Sequence, residues 1–185
     1  MRSPKFVLAV IAVLAPATAS AEPWVWVHNG NAAATDFHQV STDGCVHTSG
    51  QFGVVDSWTI GDPVYSGLVA TGIVEDVCAG TSYPFFGTGD GEFLVLGTFF
   101  AHVRGSVFAG NDRGDPPLTL EIDLSWLGHG PVERGSEFIE DEDHVSLSCM
   151  RRRSAFTYGE LTIDGAAASV SAGMLVGESN GVIRY

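Results

Sequence analysis

The sequence predicts an all-β fold, an antiparallel β-sandwich with a β-barrel as the alternative closure. Three observations predict it. Apolar and polar residues alternate with period two through much of the chain, and no stretch after the N-terminal segment keeps a helical period. Short β-rich runs are also separated by Gly, Pro and Asp clusters, as in sheets built from hairpins.

The chain opens on Arg2 and Lys5, then an apolar run from Phe6 to Ala15, then Ala19-Ser20-Ala21 before Glu22. A positive start, a run too short to span a bilayer and a small-residue cleavage pattern predict a signal peptide over 1–21. Residues 22–185 are then a single secreted β domain of 164 residues. A domain of that size buries roughly 70% of its unfolded surface. No later stretch reaches the 18 uncharged apolar residues of a membrane helix, so no membrane insertion is expected after signal removal.

Trp24, Trp26 and His28 alternate with Val25 and Val27, giving an opening strand. Phe52 to Ile60 and Leu68 to Val77 are further strands, separated by the turn composition Gly61-Asp62-Pro63. Gly87-Thr88-Gly89-Asp90-Gly91 reads as a breaker, and Glu92 to Ala109 as one long β run bent at Gly97 and Gly105. A polar turn over 110–117 leads to the clearest strand. There Leu118, Leu120, Ile122, Leu124 and Trp126 face one way and Thr119, Glu121, Asp123 and Ser125 the other, and Gly128-His129-Gly130 is the exit. Gly159-Glu160 reads as a turn between strands over 155–158 and 161–163, 166–170 carries no pattern, and 181–185 is a closing strand.

The mature chain holds seven arginines and no lysine against 22 acids, a net charge of −15. Such a surface repels polyanions, so nucleic acid is not an expected partner. The one basic cluster is Arg151-Arg152-Arg153, for which the simplest role is neutralising the acids between 137 and 143. That acidic run supplies Glu137, Glu140, Asp141 and Asp143 as candidate calcium ligands, because hard cations collect carboxylate oxygens. It lacks the Asp-x-Asp-x-Asp-Gly order that wraps a loop around an ion, so a solvated loop competes with the calcium reading. Asp112 and Asp115 form a smaller oxygen cluster, and Arg113-Gly114-Asp115 matches the integrin-binding tripeptide over too few residues to carry weight.

His28, His38, His47, His102, His129 and His144 show no His-x-x-x-His spacing and no Cys-x-x-Cys accompanies them. There is no Gly-x-Ser-x-Gly elbow, and a mature chain without lysine excludes Ser-x-x-Lys. Of the three cysteines, Cys45 and Cys78 flank strand boundaries, and a bridge between them would close a loop spanning 33 positions. Cys149 falls on the apolar phase of its run and reads as a small buried hydrophobe.

Asp43-Gly44-Cys45, Asp76-Val77-Cys78 and Asp123-Leu124-Ser125-Trp126-Leu127-Gly128-His129-Gly130 together resemble a group of uncharacterised secreted bacterial proteins. These carry an early Gly-Cys, a mid-chain cysteine and an Asp-Leu-x-Trp-x-Gly-x-Gly segment, over a span corresponding to 36–164 here. The resemblance implies a β-rich exported domain with Cys45 paired to Cys78, and it brings no activity. The expected function is a non-enzymatic extracellular or envelope-associated binding or structural module. The alternatives are a secreted hydrolase with a site assembled across strands, and a calcium-binding module using 137–143.

Overall fold

The computed structural model describes residues 24–59, 63–111, 114, 116–141 and 144–184, and the expected signal peptide and Asp143 lie outside them. Within them the chain forms ten strands and no helix: β1 (Trp24–Val40), β2 (Val46–Thr59), β3 (Pro63–Asp76), β4 (Thr81–Leu96), β5 (Phe100–Gly110), β6 (Leu118–Gly128), β7 (Glu133–Glu140), β8 (His144–Ile163), β9 (Ala166–Ala167) and β10 (Ser169–Arg184). Every pairing is antiparallel. The strands run in chain order from β1 to β6, then to β8, and β10 bonds both β8 and β1. The expected antiparallel sandwich is therefore present with its edges joined: opposed walls over one core, closed in the manner of the barrel alternative.

The core follows the alternation. Leu118, Leu120, Ile122, Leu124 and Trp126 are all buried, whereas Glu121 and Asp123 between them are exposed. Trp126 is 0% exposed; its ring stacks on Phe52 of β2 and its indole N–H donates to the Ala34 carbonyl of β1. At the other end of the core Phe37 of β1 stacks on Phe85 of β4. These contacts cross the interior, so the two walls are held by aromatic rings reaching from one to the other.

Several expected breaks are strand instead. Gly87, Gly89 and Gly91 lie inside β4, facing Ala109, Val107 and Gly105 of β5. A Cβ at Gly89 would stand 1.9 Å from the Ser106 carbonyl oxygen, so the tightly coiled wall admits only glycine there. The run over 92–109 is a hairpin, not one strand, because Gly97 takes a φ of 55° in the turn between β4 and β5. Gly159-Glu160 lies within β8 rather than in a turn, and the unpatterned 166–170 pairs with its neighbours as β9 and the start of β10. The opening strand continues to Val40, well past His28.

Cys45 and Cys78 form a disulfide between the β1–β2 and β3–β4 connections, at the end of the sheet opposite the β4–β5 turn. A carboxylate organises each connection. Asp43 accepts from the Cys45 N–H and the Ser41 hydroxyl, and Asp76 accepts from the Cys78 and Ala79 N–H groups. The Ser41 hydroxyl, and then the Cys45 N–H, hold the Asp43 carboxyl below its usual range.

Candidate functional site

The strands do not all end at one level. Residues 145–152 of β8 have β10 on one side and β7 on the other, while Ala155 has β10 on one side and β6 on the other. β6 and β7 therefore lie end to end along one edge of β8, joined by 129–132. The opposite wall stops sooner: the β4–β5 turn reaches the end of β6, where the Gly128 N–H donates to the Phe99 carbonyl. Beyond that level β7 and the first half of β8 continue as an arm, extended sideways by the far end of β10, the first half of β1 and the end of β2.

The Gly128-His129-Gly130 exit is the hinge of this arm. The His129 N–H continues the ladder to the Ser154 carbonyl, and Gly130 turns the chain with a φ of 71°. The His129 ring stacks on Phe156 with centroids 4.1 Å apart. The Arg153 Nε–H donates to the Gly130 carbonyl, and its guanidinium lies 6.0 Å from the centre of the Phe99 ring. A cleft of about 440 Å³ opens here between 129–131, Glu133, Arg152, Ser154 and Met174.

The arm sorts its arginines by face. Residues directly opposite in antiparallel pairs share a face. Glu133 faces Arg152 and the two form an ion pair on the outer side. Arg134 faces Arg151 directly, and Arg153 faces Leu175 of β10, whose side chain is buried in the core. Arg134, Arg151 and Arg153 thus project from the inner face, and none of them pairs with a carboxylate among the described residues. Two like charges placed opposite each other repel by roughly 0.2–1 kcal/mol, an arrangement that an anion between them reverses. Neutralisation of the 137–143 acids by Arg151–Arg153 was expected; among the described residues Arg152 pairs instead with Glu133, outside that run.

The described calcium candidates, Glu137, Glu140 and Asp141, do not converge. Glu137 faces Ser148 and Glu140 faces Val145, which puts their side chains on opposite faces of β7. The Asp141 carboxylate is engaged with the backbone N–H of His144 and with its ring nitrogen at 2.8 Å. Among the described residues no three His, Cys, Asp or Glu side chains are placed to hold a metal. Cys149, expected in the core, is half-buried on the inner face of the arm, because its strand has run past the opposing wall.

One pair has the composition of hydrolytic chemistry. His102 Nδ1 lies 2.9 Å from the Ser125 hydroxyl across β5 and β6. Both project from the outer wall, beside Arg104 and Asp123, which also face each other. Among the described residues no carboxylate bonds this imidazole, so the third member of a triad is missing. Arg134 escaped sequence reasoning, since only the β7–β8 register places it opposite Arg151. Comparison with protein-family models, curated proteins and solved structures returns no match for this chain.

Proposed function

We propose that this chain is an exported, non-enzymatic binding module that recognises an anionic group at Arg134, Arg151 and Arg153. The observation that carries the reading is the direct opposition of Arg134 and Arg151 on one face of a strongly acidic chain. Four of the seven arginines of the mature sequence sit between 134 and 153, and one of those four has its own glutamate. The disulfide accords with an oxidising compartment, and the N-terminal segment accords with export. The outer wall argues for a water-facing module. Glu92, Arg104, Asp123 and Glu160 lie side by side across four strands of it, where lipid would exact about 2–4 kcal/mol for the arginine alone.

The test is titration of the purified mature protein with a hexaglutamate peptide at low ionic strength. A ligand bound by the native state raises the melting temperature, and added salt weakens the effect. The expected result is a salt-sensitive rise for the natural protein and little or none for the Arg134→Ala/Arg151→Ala double variant. An equal rise in both, or none in either, overturns the reading. Ester, peptide and glycan panels are expected to return no turnover; activity lost on Ser125→Ala would move the assignment to His102 and Ser125.

A further inference from the structure

The inner face of the arm is ordered by charge along its length. Nearest the wall is the Arg134–Arg151 pair, two rows further out is Phe138 beside Leu147, and at the tip comes Glu140 beside Val145. Phe138 is 61% and Leu147 48% exposed. Alongside them on the same face β10 presents Gly177 opposite Arg151 and Gly181 opposite Leu147. A side chain built at Gly181 would meet nothing within 4 Å, and one at Gly177 only the Asn31 side chain. The face thus carries apolar side chains beside a β10 row of Gly177, Ser179, Gly181 and Ile183, and it is cationic at the base and anionic at the tip.

A surface with this order is complementary to itself after a half-turn. We infer that two copies of the chain associate through their arms, inner face to inner face and antiparallel. Glu140 of each copy meets Arg134 and Arg151 of the other, and Phe138 and Leu147 of each lie over the Ser136–Cys149 row of the other. Such a contact is isologous, so each favourable pairing occurs twice. The distance from the arginine pair to Glu140 is three rows of two residues, or about 20 Å of strand. The axis then falls between the Cys149 row and the Leu147 row, and the thiol of Cys149 is covered. The inference rests on the reading of the arginines as an anion site and identifies the anion as the acidic tip of a second copy.

Sedimentation of the mature protein across a concentration series tests it, with Arg151→Glu, Glu140→Arg and their equimolar mixture. The expected result is a dimer for the natural protein, monomers for each variant, and a restored dimer in the mixture, where each reversed charge meets its opposite. In parallel, alkylation of the free Cys149 slows as the natural protein is concentrated and not in either variant. A monomer at every concentration, dimers that survive in both variants, or a mixture that stays monomeric overturns the inference. Hexaglutamate separates the two failures: a natural protein that stays monomeric but is still stabilised by the peptide keeps the anion site and loses only the self-association.

Discussion

Trp126 and Phe138 follow one another along the same edge of β8 and point to the same face of it. Trp126 has Phe52 and the Ala34 carbonyl of the opposing wall against it and is wholly buried. Phe138 lies past the β4–β5 turn and is 61% exposed. The alternation is equally regular at both places. What separates them is whether a second layer is present, since a sheet face becomes core only when another face covers it. The wall therefore holds the fold together, and the arm leaves Phe138 and Leu147 uncovered on its inner face beside the opposed arginines.

The sharpest way to break this contrast is to truncate both rings. Trp126→Ala removes the largest core side chain and its hydrogen bond to the Ala34 carbonyl, and it is expected to cost about 3–5 kcal/mol. Phe138→Ala, measured by the same denaturant melts at concentrations where the chain is monomeric, is expected to change stability by less than about 0.5 kcal/mol. Comparable losses at the two sites would mean that the arm is covered in solution by part of its own chain.

Next in size is the disulfide. Replacing both Cys45 and Cys78 by Ala is expected to cost about 3–4 kcal/mol on the chain-entropy account of a bridge spanning 33 positions. Replacing Cys149 by Ser is expected to leave the unfolding midpoint almost unchanged. Smaller again is Gly105→Ala. The added methyl would lie 2.5 Å from the Asp90 carbonyl oxygen and 2.8 Å from Leu68 Cδ1, and overpacking of this kind costs about 1–3 kcal/mol. The same change at Gly135 on the arm, where a Cβ meets nothing within 4 Å, is expected to be tolerated.

The smallest expected effect has the opposite sign. Arg151→Gln removes the repulsion with Arg134 and is expected to stabilise the monomer at low salt by roughly 0.2–1 kcal/mol, a gain that shrinks as salt is added. A loss of stability in this variant would show that Arg151 has a carboxylate partner in the folded chain.

The wall was legible in the sequence because burial on one face writes itself as alternation. The five inward residues of β6 fell where that rule puts them, and the cysteine pair was legible from its place at two strand boundaries. Glycines misled it. Those at 87, 89, 91 and 159 carry the composition of turns, but they sit within strands where a neighbouring carbonyl leaves no room for a Cβ. The arm was hidden for another reason. Val145, Leu147 and Cys149 alternate like core residues, and nothing local records that the opposing hairpin turns back at Gly97. Arg151–Arg153 could be seen as a basic cluster, but its division into one paired outer arginine and two inner ones, with Arg134 joining them, depends on the register of β7 against β8.

Hydrogen exchange of residues 22–185, with and without hexaglutamate, tests the division between wall and arm most directly. The amides of β6 are expected to exchange only through global opening, and those of β7 and residues 145–152 through smaller local openings. The peptide is expected to slow exchange in the arm well beyond its effect on the wall. Arm amides as protected as those of β6 without the peptide, or unchanged by its addition, would contradict the account.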